Sequence, residues 1–169
     1  NNVPHVGHSH PRVVEAAAEQ MRVLNTNTRY LHEDRLRFAE RLAATFPDPL
    51  SVVYLVNSGS EANELALRLA KAHTAGTDFV VIDAAYHGNT GALVDLSPYK
   101  FAGKGGGGKA EHVQVATLPD SYRGKFGYQD ADAGLHYADD VGACFKRIAE
   151  KNRKPAAFIA ESISGCGGQ

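Results

Sequence analysis

"YLVNSGSEANELALRLAKAHT", residues 54–74, joins an apolar run to a helix-like pattern through a short knot of small polar residues. Val52, Val53, Tyr54, Leu55 and Val56 predict a buried strand, because β-branched and aromatic side chains suit a pleated surface. Ala62, Leu65, Ala66, Leu69 and Ala70 then recur at three- and four-residue spacing, which predicts a helix. Ser58, Gly59 and Ser60 stand at the hand-over. In open α/β sheets, ligands collect where strands end and helices begin. The first amides of a helix lack intrahelical partners and carry the positive end of its dipole, roughly half a charge. A turn of small residues lets a phosphate come close enough to accept those N–H groups. The knot therefore reads as a phosphate cup. It reads equally as an ordinary N-cap, with Ser60 satisfying the amide of Asn63 and Glu61 facing the dipole.

Outward from this junction, helices and strands alternate. Pro11 suits the first turn of a helix with Ser9 as cap, and Val14, Ala17, Ala18, Met21 and Leu24 form its apolar stripe. A second helix is expected over 33–45, and another over 138–150 with Val141, Cys144, Phe145, Ile148 and Ala149 on one face. "DFVVID" (78–83), "HVQVATL" (112–118) and "AAFIAES" (156–162) read as short apolar strands. Strands that are apolar on both sides and alternate with helices predict a parallel sheet covered on both faces, hence an α/β fold. The stretch 97–134, rich in Gly, Lys, Asp and Tyr, reads mostly as loop. The expected division is a helical segment over 1–50 followed by an α/β region over 51–169.

Composition narrows the function classes. Eighteen basic against 19 acidic residues give a net charge of -1, so no global field attracts nucleic acid or an anionic membrane. No apolar run approaches the roughly 20 residues that span a bilayer. Cys144 and Cys166 form no ligand spacing and define no disulfide framework, so the cytoplasm is the expected compartment. His5, His8 and His10 lie close together, but no Asp, Glu or Cys joins them at ligand spacing, and no metal is expected. "GKGGGGKA" (103–110) nearly spells a P-loop, yet Ala110 stands where a Ser or Thr must hold Mg²⁺ and no strand leads into it. The chain closes on a Gly-rich turn just after an expected strand, the pattern of a piece of something longer.

"GHSHPRVVEA", "NSGSEANELALRLAK", "YHGNTGAL" and "FIAESISGCGGQ", in that order, resemble the class III aminotransferase family of pyridoxal-phosphate (PLP) enzymes. Within it, "NNVPHVGHSHPRVV", "LNTNTRYLHE", "SPYKF" and "PDSYRGKF" are most similar to the branch of phospho-lyases that act on phosphoethanolamine or phosphohydroxylysine. The resemblance covers essentially the whole chain. It implies the first part of the large domain of a fold type I PLP-dependent transferase, truncated after its early strands. It also implies a small primary amine as substrate and a homodimeric parent enzyme.

By that resemblance, Ser58, Gly59 and Ser60 hold the cofactor phosphate, and Tyr86 lays its ring over the pyridine. An offset aromatic face adds about 1 kcal/mol to such a stack. His87 and Gly88 complete the motif, with Gly88 permitting close approach, and Glu161 joins the network around the cofactor ring. Arg29 and Tyr30 are candidates for the substrate region, or plain loop residues.

One departure from the family pattern carries information. Many ω-aminotransferases continue as Glu-Pro-x-x-Gly-Glu, whereas here Ser162 replaces the Pro and Cys166 the second Glu. A thiol cannot pair with the arginine that greets substrate carboxylates, which tilts the reading toward phosphate elimination. The Schiff-base lysine and the ring-nitrogen aspartate are expected beyond Gln169, since none of the eight lysines (71, 100, 104, 109, 125, 146, 151, 154) fits the family's lysine motif. The chain alone is therefore expected to hold no catalytic residue. The competing expectation is a stand-alone binding or interaction domain that keeps the phosphate cup without the chemistry.

Overall fold

A computed structural model of the protein describes residues 4–26 and 29–168. The chain divides into two compact units, Asn1–Leu55 and Val56–Gln169. The first holds two helices, α1 (Pro11–Val23) and α2 (Glu33–Ala43). Pro11 opens α1 as its fixed φ and missing N–H allow, but the residue before it is His10, not Ser9, and no side chain caps this end. His32 caps α2 by accepting the N–H of Asp34 at 3.2 Å. Neither helix buries a residue, and Val13, Met21, Val23 and Phe38 stand more than half exposed.

The second unit is a three-layer α/β arrangement. Its elements are α3 (Gly59–Thr74), β1 (Asp78–Ile82), α4 (Gly91–Asp95), α5 (Pro98–Phe101), β2 (Val113–Ala116), α6 (Ala133–Glu150) and β3 (Pro155–Ile159). The strands run parallel in the order β2-β1-β3, so β1 is central, and all five of its residues are buried. Period-two alternation divides its side chains between two cores. Phe79 and Val81 pack with Leu67 of α3, Leu93 and Leu96 beside α4, Val113 and Ala156. Val80 and Ile82 pack on the other face with Ala116 and with Cys144 and Ile148 of α6. Each such fully buried Val, Ile, Leu or Phe contributes about 1.5–3 kcal/mol of transfer free energy. The parallel sheet covered on both faces is the one the alternating pattern implies.

The strand expected over 52–56 does not form. Residues 51–56 belong to no sheet, and Val52 is 77% and Tyr54 62% exposed. A strand needs a neighbour for its amides and carbonyls, and among the described residues no strand pairs with this run. The stretch 97–134 is also less loop-like than its composition implies. It contains α5, β2 and the start of α6, which begins at Ala133 rather than at 138. The glycine stretch 103–110 folds back on itself: Gly106 N donates to Gly103 O and Gly108 N to Phe101 O.

Candidate functional site

The junction ahead of α3 is capped, though not by the residue the spacing favoured. Ser58 is the N-cap, its Oγ accepting the N–H of Glu61 at 3.1 Å. Glu61 in turn accepts from Asn57 N at 2.7 Å and from Asn57 Nδ2 at 3.2 Å, which places a carboxylate at the positive end of the helix. Ala62 N reaches Ser58 O at 3.0 Å. The two remaining first-turn amides, of Gly59 and Ser60, donate to no group among the described residues. Gly59 is exposed, and a Cβ built on it meets nothing within 4 Å.

Ser60 uses its hydroxyl elsewhere. Its Oγ accepts the N–H of Asn89 at 3.1 Å, tying the first turn of α3 to the loop that follows β1. Two further bonds stitch the same loop to the next turn: Asn63 Nδ2 donates to His87 O at 2.7 Å, and Thr90 Oγ1 to Glu64 Oε2 at 2.6 Å. Gly88 makes this closeness possible. Its φ is +142°, and a Cβ there would stand 2.9 Å from Ser60 Oγ and 2.5 Å from Leu93 Cδ1.

His87 is buried, with 5% of its surface exposed. Its N–H donates to Ser97 Oγ at 2.9 Å, and that hydroxyl donates onward to Leu93 O at 2.6 Å. The Nε2 atom is buried with no hydrogen-bond partner among the described residues. Burial holds the imidazole below its ordinary pKa, and the charge of Glu161 offsets part of that effect. Tyr86 is half-buried and meets Tyr99 edge-to-face, ring centroids 6.2 Å apart at 79°. Glu161 lies just past the end of β3, the strand beside β1, and its Oε2 accepts Gly165 N at 3.3 Å. It also lines a cavity of about 450 Å³ on the α6 side of the sheet, with Ile82, Ala85, Leu118, Tyr137 and Phe158.

The residues singled out from sequence thus fall into three places. Ser58, Gly59 and Ser60 form the start of α3, and Tyr86 and His87 sit on the loop bonded to it. Glu161 reaches His87 through its charge. No hydrogen bond or ring contact links Tyr86 to Ser60 among the described residues. Sequence reasoning missed Asn63, Asn89 and Ser97, whose roles depend on contacts between distant segments and leave no local signature. Tyr30 belongs to the first unit and is 60% exposed. No group of three metal-ligating side chains occurs among the described residues, and no described helix is long and apolar enough to cross a membrane.

The model for "Aminotransferase class-III" matches residues 2–169. The chain belongs to the class III aminotransferase family. Members of that family use pyridoxal 5'-phosphate, and the parallel α/β fold is that of PLP-dependent transferases. A Drosophila melanogaster relative, "Alanine--glyoxylate aminotransferase 2-like", is 49% identical over 172 residues, covering 100% of this chain and 35% of its own length. "Ethanolamine-phosphate phospho-lyase homolog 1" of Caenorhabditis elegans is 40% identical over 178 residues, again over 100% of this chain and 38% of its own. Among solved structures, a phospholyase from Arthrobacter in complex with phosphoethanolamine superposes with a TM-score of 0.78 at 34% identity, over 95% of this chain and 37% of that one. The chain thus spans little more than a third of these class III relatives.

The residues present suit the family's cofactor. Two amides at a helix start that find no acceptor among the described residues, the first of them on an exposed glycine, are donors of the kind a phosphate takes, and the Ser60 hydroxyl lies beside them.

Proposed function

We propose that this chain supplies the phosphate cup and ring-stacking face of a PLP site within a longer class III enzyme. That enzyme acts on a small primary amine and eliminates phosphate from phosphoethanolamine-like substrates. The observation that carries the reading is the pair of amides at Gly59 and Ser60 that find no acceptor among the described residues, at the helix end where a dianion is most stabilised and where Gly59 is open to solvent.

Bound PLP supplies an electron sink that stabilises negative charge on the amine-bearing carbon. The chain's own residues do the positioning. Gly59 and Ser60 hold the phosphate end, and Tyr86 offers its ring to the heterocycle. Glu161 places a carboxylate in the ring's hydrogen-bond network. His87, buried and bonded through its N–H to Ser97 Oγ, anchors the loop that carries Tyr86. In the lyase outcome a proton leaves the amine-bearing carbon and the C–O bond to phosphate breaks, its electron pair leaving with phosphate. Water then replaces nitrogen, giving acetaldehyde and ammonia from phosphoethanolamine. Cys166 in place of the family's second Glu supports this outcome over transamination, because the arginine switch for dicarboxylates loses its partner. The likeness to two phospho-lyases in the comparisons supports it further.

Two free cysteines, one buried and one exposed, support a reducing compartment such as the cytoplasm. The family resemblance supports assembly of the parent enzyme as a homodimer. The 169-residue chain alone is proposed to be inert, since its eight lysines stand outside the family's lysine motif. Loading it with PLP, reducing with borohydride and mapping the product gives no stoichiometric lysine adduct on this reading.

The decisive experiment is product analysis with the full-length holoenzyme and phosphoethanolamine. Acetaldehyde, ammonia and phosphate in equal amounts are the expected result. Turnover only when a keto acid is supplied, with no phosphate released, would assign a transaminase instead.

A further inference from the structure

Among the described residues, Lys100 is a cation without an anion. Its Nζ lies 5.6 Å from the Tyr86 ring centroid and 5.7 Å from that of Tyr99, and among the described residues it has no carboxylate or hydrogen-bond acceptor. The hydroxyls of Tyr86 and Tyr99 likewise make no hydrogen bond among the described residues. The backbone beneath this group is fixed. Lys100 N donates to Ser97 O at 2.7 Å and Tyr99 N to Ala85 O at 3.2 Å, so α5 is bonded to the segment that carries Tyr86 and His87. Ser97 also receives the N–H of His87. The ammonium is therefore held beside the proposed ring-stacking residue by short helix and loop bonds, while its head stays exposed.

We propose that Lys100, with the phenols of Tyr86 and Tyr99, receives the phosphate monoester of the amine substrate and so selects phosphorylated amines. The proposal rests on the lyase reading above and names the residue that sets its substrate class. An ammonium and two phenols present donors only, apart from the phenol lone pairs, and a phosphate monoester is an acceptor carrying close to two negative charges. The Gly59 and Ser60 amides serve the cofactor's phosphate, so a second phosphate needs a second set of donors, and α5 supplies it. A lysine lying over an aromatic face keeps its N–H groups available to an anion at the rim, because the ring is a weak and undemanding partner.

The test uses the full-length holoenzyme, in which the cofactor's phosphate fills its own cup. Binding of inorganic phosphate is measured by calorimetry, and phosphate release from phosphoethanolamine by steady-state kinetics, for wild type, Lys100→Gln and Lys100→Arg. The visible spectrum of the bound cofactor monitors loading. Lys100→Gln weakens phosphate binding and raises KM for phosphoethanolamine tenfold or more, with a smaller effect on kcat and an unchanged spectrum. Lys100→Arg retains most of both. Lys100→Met, which keeps the aliphatic contact with the rings, repeats the test should the Gln variant fold poorly. Wild-type phosphate affinity and KM in Lys100→Gln overturn the proposal. If the wild type releases no phosphate from phosphoethanolamine, yet phosphate binding falls in Lys100→Gln, the anion site stands and only the lyase reading fails.

Discussion

Ser60 Oγ accepts the backbone N–H of Asn89 at 3.1 Å, so the first turn of α3 and the loop after β1 share a bond across 29 residues of chain. Ser58, two residues earlier, spends its hydroxyl on the helix itself by accepting Glu61 N. Neighbouring serines of one motif thus have different work, and substitution separates them. Ser58→Ala removes an N-cap and lowers stability by about 1 kcal/mol, with little change in cofactor affinity. Ser60→Ala loses the bond to Asn89, also about 1 kcal/mol, and on the proposed reading weakens PLP binding as well. Chemical denaturation and PLP titration of the full-length apoprotein read the two effects independently.

Gly88 packs against Ser60 and Leu93 so closely that no side chain fits there. At φ +142° an alanine is strained, and its Cβ would stand 2.5 Å from Leu93 Cδ1 and 2.9 Å from Ser60 Oγ. Backbone strain of this kind costs about 1–3 kcal/mol. Relief requires the loop to withdraw from α3, which breaks the Ser60–Asn89 bond. Gly88→Ala is therefore expected to lower the unfolding midpoint and to weaken PLP binding more than Ser60→Ala does, both measured on the full-length protein.

The starts of the three strands are tied by one arginine. Arg153 Nε donates to Asp78 Oδ1 at 2.8 Å and its Nη1 lies 3.2 Å from Glu111 Oε1. Asp78 is fully buried, and Thr77 Oγ1 is its other donor at 2.9 Å. Arg153→Met leaves a buried carboxylate without its cation and lowers stability. Adding Asp78→Asn removes the charge and restores part of that stability. A double-mutant cycle by denaturant unfolding checks it: equal losses in the single and double variants contradict a charge-based role.

The parallel α/β core was legible because it rests on local pattern. Phe79 to Ile82 are all apolar, a run that suits a strand buried on both faces. The run at 52–56 is also apolar and β-branched yet forms no strand, since pairing depends on a neighbour and composition carries no record of one. The motif around Ser58, Gly59 and Ser60 marked the start of α3, but not that Ser58 rather than Ser60 is the cap. That choice turns on Asn89, whose amide claims the Ser60 hydroxyl from the far side of β1. Lys100 stood in the sequence as the lysine of "SPYKF", but its place beside Tyr86 became apparent only with α5 bonded to Ala85.

His87 gives the site a pH dependence whose sign follows from its surroundings. Burial lowers its folded pKa below the ordinary histidine value, while Glu161 pulls weakly the other way. The unfolded chain, with a pKa of about 6.5, then binds a proton that the folded one refuses. Stability from this group is complete above about pH 6.5 and is lost as pH falls from there toward the lowered folded value. His87→Asn abolishes this contribution, so its stability falls less between pH 6.5 and 5 than that of the wild type. Asp120, Asp130 and Asp140, whose carboxyls are held below their ordinary values by hydrogen bonds, lose their contributions only in more acidic solution and act alike in both proteins. Urea unfolding at several pH values compares the two. Parallel curves from pH 7 to 5 would mean that the buried imidazole is protonated as readily in the folded protein as in water.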